Sequence, residues 1–214
     1  MVKRAEYLGP ERRRPLVLDA AESIFAEGGF SDASMSAIAE RAEVSKAVLY
    51  DCFPGGKQEI YYALLDRCEQ SFMAYINEVL DRTNRMPLHE GLMDFFTAFL
   101  NYARENPLAF RIMFGEAGTS DREIAKRAQR SKEFMVAKMG ERTRQIMTDA
   151  GVRITPLADM YNISMVAVAE ELARWILRDD NVPQDKLVKA TVLWLMKGFE
   201  TIIPSDTWRR PLPD

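Results

Sequence analysis

The stretch Ser34–Phe53, SMSAIAERAEVSKAVLYDCF, decides the fold. Met35, Ile38, Ala39 and Ala42 recur at helical spacing and give one apolar stripe on a first helix. Ser34 stands just before the stripe, where a hydroxyl accepts a free backbone N–H of the first turn. The spacing ends this helix at Ala42 and leaves Glu43, Val44 and Ser45 as a turn, with Val44 as an apolar plug between helices. Ser45 then caps a second helix from Lys46 to Phe53. Leu49 and Phe53 lie four apart and face inward, whereas Lys46, Ala47 and Tyr50 face outward. A helix followed by a tight turn and a short polar-faced helix is the pattern of a helix-turn-helix entering a DNA major groove; a helical hairpin inside a core satisfies the same spacing.

The flanks separate these readings. Phe25, Gly29 and Phe30 precede the stretch; Ile38-Ala39, Val44-Ser45, Leu49-Tyr50, Phe53 and Lys57 follow in order. This succession resembles the N-terminal DNA-binding domain of the tetracycline-repressor (TetR) family, over roughly Arg14 to Tyr61. The resemblance implies an all-α protein: an N-terminal three-helix DNA-binding domain, residues 1–57 with its arm, and a helical ligand-binding and dimerisation bundle, residues 58–214. It implies DNA contacts from Arg13, Arg14, Ser34, Ser45, Lys46, Ala47, Tyr50 and Lys57. Three departures stand out. Glu43 occupies the turn position where the family usually has Gly, and a left-handed backbone there costs a Glu on the order of 1 kcal/mol. Asp51 and Cys52 replace the aromatic, His or basic residues often found there; Asp51 can accept from a cytosine amino group or point off the duplex. The segment Phe53-Pro54-Gly55-Gly56-Lys57 is one residue longer than usual.

Bulk composition bounds the rest. The 214 residues are 47% hydrophobic and 29% charged, ordinary for a globular chain of one large or two smaller domains. The net charge of −3 gives no overall basic excess, and residues 1–60 hold eight bases against ten acids. Nucleic-acid affinity must therefore come from placement: Lys3, Arg4, Arg12, Arg13 and Arg14 cluster before Pro15, read as a mobile arm ahead of a helix that Pro15 opens. Lys46 and Lys57 flank the second helix of the turn, and Lys57 opens the next helix, where a DNA phosphate or plain solvent would suit its charge. Cys52 and Cys68 make neither a disulfide framework nor a metal pattern, and His89 stands alone, so no catalytic or metal site is expected and no cofactor. No stretch is apolar for long enough to span a membrane, and no apolar core follows the N-terminal bases; the expectation is a cytoplasmic protein.

After a turn at Pro54-Gly55-Gly56 the pattern is helical throughout, giving about nine helices in all. Helices are expected from Gln58 to about Arg82, Pro87 to Glu105, Pro107 to near Gly115, Ser120 (capped with Glu123) to Ala150, Thr155-Pro156 to Arg178 and Pro183 to Ile203, followed by a polar tail. The last two, about 156–178 and 183–203, are apolar over a wide arc, which suits a four-helix interface between two copies of the chain. Phe72, Phe96, Phe99, Tyr102, Met113, Phe134, Tyr161 and Met165 crowd the central helices. Such stripes make ordinary core, and they also line apolar ligand pockets. The resemblance implies that a hydrophobic small-molecule effector binds among them. It also implies a homodimeric regulator of a palindromic double-stranded DNA operator, a repressor released by that effector. A helical carrier of hydrophobic ligands without DNA binding is the alternative, and the sign of regulation is not written in the sequence.

Overall fold

The computed structural model describes residues 10–114, 122–149, 151, 153, 156–179 and 181–200. Every regular element among them is helical: α1 (Pro10–Asp32), α2 (Met35–Arg41), α3 (Lys46–Cys52), α4 (Gly56–Thr83), α5 (Leu88–Glu105), α6 (Pro107–Phe114), α7 (Arg122–Asp149), α8 (Pro156–Arg178) and α9 (Gln184–Glu200). The chain forms two compact units, residues 1–70 and 71–214, divided within α4. Lys3 and Arg4, the Ser120 cap, Thr155 and the C-terminal tail lie outside the described residues.

In the first unit, α1 to α3 and the start of α4 close over Val17, Ala21, Phe25, Ile38, Leu49, Phe53, Ile60 and Leu64, all buried. One expectation is corrected. α1 does not begin at Pro15 but is already helical at Pro10, so Arg12, Arg13 and Arg14 ride on a helix rather than on a free arm. Pro15 lies inside the helix, where it lacks the N–H that would reach the Glu11 carbonyl and its ring crowds that carbonyl, yet the helix runs through it. Helical backbone breaks at Gly29, whose φ of 72° is open to glycine.

Two serines cap the short helices: Ser34 Oγ accepts from Ala37 N–H at 3.1 Å, and Ser45 Oγ from Val48 N–H at 3.2 Å. Between them α2 ends in a tight reversal. Glu43 N–H donates to Glu40 O (3.1 Å) and Val44 N–H to Ala39 O (3.0 Å), with Glu43 itself at φ 54°. This pair of bonds around a left-handed residue is the usual helix stop, and the left-handed residue in it is usually Gly.

Two long cations tie the unit together. Arg14 lies 4.1 Å above the Phe53 ring, donates from Nη1 to Cys52 O at 2.5 Å and meets Glu59 Oε1 at 3.5 Å. Lys57 Nζ donates to Phe30 O (2.7 Å), Ala33 O (2.8 Å) and Ser31 O (3.4 Å), closing carbonyls left open where α1 ends. Arg67 bonds Asp19 at 2.6 Å and also Glu22, holding α4 against α1. The longer Phe53–Lys57 segment is accommodated by Gly56 at φ 67°, while Glu59 accepts from Gly55 N–H at 2.7 Å.

The second unit is built on α5, which packs against α6, α8 and α9, while α7 packs against α6 and α8. Gly91 lets α5 approach the end of α4: a Cβ there would stand 2.9 Å from Thr83 O. Arg142 of α7 donates to Thr83 O and Met86 O, fixing the link that follows α4. A buried Thr143–Asn162 bond of 2.8 Å joins α7 to α8.

Two stability outcomes follow from these contacts. Glu43→Gly is expected to raise stability by a few tenths of a kcal/mol, because relief of left-handed strain, on the order of 1 kcal/mol, exceeds the added chain entropy; a lowered melting temperature would contradict the turn as described. Arg14→Met is expected to lower stability by about 2 kcal/mol, the scale of a charge-assisted hydrogen bond. Denaturant unfolding at constant slope reads both.

Candidate nucleic-acid interface

α3 has only seven residues, too few to be stable as a free helix, so its orientation is imposed by what it rests on. Its inner side is Leu49, Cys52 and the adjoining Phe53, all buried. Its outer side is Lys46, Ala47, Tyr50 and Asp51, all exposed. Tyr50 is 48% exposed although it is a large ring, so the phenol is presented rather than packed. The helix therefore offers solvent an ammonium, a methyl, a phenol and a carboxylate. Together these can donate to and accept from base edges and touch a thymine methyl. Asp51 is four residues after Ala47 and is exposed beside it.

The eight residues read from sequence as DNA contacts fall into distinct groups. Lys46, Ala47 and Tyr50 stand outward together on α3. Ser34 and Ser45 are exposed at the two helix starts with their hydroxyl oxygens already accepting cap bonds. Arg13 is half-buried on α1. Arg14 and Lys57 have their cationic groups engaged within the unit, on the Cys52 carbonyl and on the carbonyls that end α1. Sequence reading aimed both at phosphates because a cation beside the turn looks free until the backbone brings acceptors to it. Cys52 turns inward, and burial pushes its thiol pKa up; burial, then the nearby Glu22, pushes Cys68 up to about 11. Neither is a reactive thiolate.

The expected effector residues are placed less simply. Phe72, Phe96, Phe99, Tyr102 and Met113 are buried. Phe72 meets Tyr102 at 5.2 Å and Phe114 at 5.1 Å, edge to face, and Phe99 meets Phe72 and Phe110 edge-on at 6.0 Å. These rings fill one another's space. Tyr161 and Met165 border a cavity of about 40 Å³ with Leu92, Phe95 and Met139, room for little more than a water molecule. Phe134 is half-buried on α7. Among the described residues, all eight but Phe134 are buried, and the cavity that Tyr161 and Met165 border is small. His89 is exposed, and no group of three metal-ligating side chains occurs among the described residues. No described helix is long and apolar enough to cross a membrane.

Comparison with known proteins is consistent with this geometry. Residues 17–64 match the family model described as bacterial regulatory proteins, tetR family. The chain is 27% identical over 203 residues to the HTH-type transcriptional activator FasR of Mycolicibacterium smegmatis, covering 94% of this chain and 89% of FasR. Among solved structures, a TetR-like transcriptional regulator from Rhodococcus sp. RHA1 superposes with a TM-score of 0.69 at 21% identity, over 90% of this chain and 98% of that one. The regulator FadR from Bacillus subtilis, in complex with stearoyl-CoA, gives 0.69 at 16% identity, over 86% and 98% of the two chains. At such identities the two structures establish the fold. The family model falls on α1 to α4 and contains the turn and the outward face of α3. Residues 17–64 thus form a DNA-binding domain of the kind found in the tetR family of bacterial regulatory proteins, on a chain similar over nearly its full length to a transcriptional regulator.

Proposed function

We propose that this regulator binds a palindromic DNA operator as a homodimer, reads it with Lys46, Ala47 and Tyr50, and is a repressor released by a hydrophobic small molecule. The observation that carries the reading is the outward face of α3, held rigid from beneath by Phe53 and Arg14. Lys46 and Tyr50 donate to bases or phosphates, Ala47 allows close approach, and the α2 and α3 starts at Ser34 and Ser45 present backbone N–H groups to the DNA backbone. Arg13 supplies charge from α1. Arg14 and Lys57 act indirectly, by positioning the face. Asp51 adds a cytosine-directed acceptor.

Support for the dimer comes from α8 and α9. Met160, Ile163 and Trp175 on α8 and Leu193 and Trp194 on α9 are each about half exposed or more, at positions where an isolated bundle gains nothing from large apolar groups. Pairing these rows across a two-fold axis buries them, and two heads then meet half-sites one helical turn apart or a multiple of it.

The effector is assigned to the aromatic core of the second unit, including Phe72, Phe96, Phe99, Tyr102, Met113, Phe134, Tyr161 and Met165. Since the rings already fill their space, a ligand must part them, and the state with the rings parted is the one it favours. Long-chain acyl compounds are the first class to test, given the stearoyl-CoA bound to the FadR structure. A second reading, activation rather than repression, is favoured by the name of FasR, with which this chain aligns over nearly its full length.

Selection from random duplex DNA is expected to yield an inverted repeat, and a single unrepeated motif would contradict dimeric reading. Lys46→Ala and Tyr50→Ala should each weaken operator binding about ten-fold, the scale of one lost base or phosphate contact, with melting temperature unchanged. Unaltered affinity in both removes the reading face. The double variant Leu193→Asp with Trp194→Asp should sediment as a monomer; a dimer would place the interface elsewhere. Reporter transcription from the selected site, with and without the regulator, separates repressor from activator.

A further inference from the structure

α7 and α8 run antiparallel, as the pairs Lys132–Glu170 and Thr143–Asn162 show, and they enclose a groove of about 410 Å³. The groove has two ends of different chemistry. Val136, Ala137, Ile163, Val166 and Ala167 form an apolar end; Gln129, Lys132, Glu133 and Glu170 form a polar one. Glu133 is exposed and already accepts from Gln129 at 2.9 Å. Glu170 is different. It is 3% exposed, which for a carboxylate demands full compensation. Its Oε2 has that compensation, from Lys132 Nζ at 2.9 Å and Arg174 Nη2 at 3.4 Å. Its Oε1 is buried and has no hydrogen-bond partner among the described residues. A buried carboxylate oxygen without a donor, in a residue that lines a groove of ligand size, is the mark of a missing hydrogen-bond donor.

We propose that the α7–α8 groove is a second small-molecule site, apart from the aromatic core, taking an amphiphile whose head is a hydrogen-bond donor, an ammonium or a hydroxyl, on a short apolar body. The head donates to Glu170 Oε1, and the body lies along Val136, Ala137, Val166 and Ala167. A carboxylate head is rejected, because it brings a third acceptor where the existing two cations are already held by Glu170. Ile163 belongs both to this groove and to the α8 row assigned to the dimer, so the body is placed on Val136, Ala137, Val166 and Ala167 and enters from the α7 side.

The test uses the full-length protein and calorimetric titration with octylammonium, 1-octanol and octanoate at about pH 8, where the amine is charged and the acid is ionised. Two variants make the readout specific to the groove. Ala137→Phe fills the apolar end from an exposed position that the fold tolerates. Glu170→Gln keeps the shape, and its amide oxygen stays on Lys132 and Arg174, so its NH₂ replaces the free acceptor. Octylammonium, 1-octanol or both should bind the native protein and bind each variant at least about ten-fold more weakly, the scale of losing one buried hydrogen bond to a charged group. Octanoate should not be weakened by Glu170→Gln; a loss of about ten-fold there would contradict the donor head. Absence of binding by both donors, as when the second copy covers the groove, overturns the proposal. So does binding that survives both substitutions, which would locate the ligand in the aromatic core.

Discussion

The structure depends on a constraint of length. A helix of seven residues cannot hold itself in water, so whatever α3 presents to DNA is decided by the groups that fix its two ends and its underside. Ser45 closes the start, Phe53 anchors the end, and Arg14 spans the gap between α1 and the Cys52 carbonyl while lying on the Phe53 ring. A single cation thereby satisfies a helix-end carbonyl, meets a carboxylate and covers an aromatic face. Lys57 does the equivalent work at the break in α1, where Gly29 turns the chain and leaves carbonyls pointing at one spot. The resulting division of labour separates cations that build the head from the face that reads.

Much of this was legible in the sequence, for identifiable reasons. Helix positions followed from apolar spacing and from Ser34, Ser45, Pro107 and Pro156, whose hydroxyls or fixed φ act locally. Glu43 stands where a Gly is expected, and its positive φ shows that the position takes the left-handed backbone. What sequence could not supply was the far partner. Arg14 reaches residues 38 and 45 positions away, and Lys57 reaches back 24 to 27; both looked like free cations for lack of any local acceptor. The start of α1 was misplaced for the opposite reason: a proline at position 15 signals a helix start locally, yet the helix tolerates it with one bond lost.

The second unit shows the same limit in apolar form. Aromatic residues at helical spacing mark a core, but spacing does not say whether rings leave a void or fill it; here Phe72, Phe99, Tyr102 and Phe114 fill it edge to face. Conversely, the α7–α8 groove had no sequence signature, since Glu170 becomes unusual only when burial and the absence of a donor at Oε1 are known together. The exposed Trp175 and Trp194 lie between these cases: their apolar rows are visible as periodicity, and only the fold shows that the described residues leave them about half exposed or more.

The central claim is that reading and building fall to different residues of one small head. A crystal structure of the protein on its operator tests this most directly. The account predicts Lys46, Ala47, Tyr50 and Asp51 against base edges in both half-sites, with Arg14 still on the Cys52 carbonyl and Lys57 still on the carbonyls that end α1. A complex in which Arg14 and Lys57 have left those carbonyls for phosphates, with the outer face of α3 turned from the groove, would contradict it.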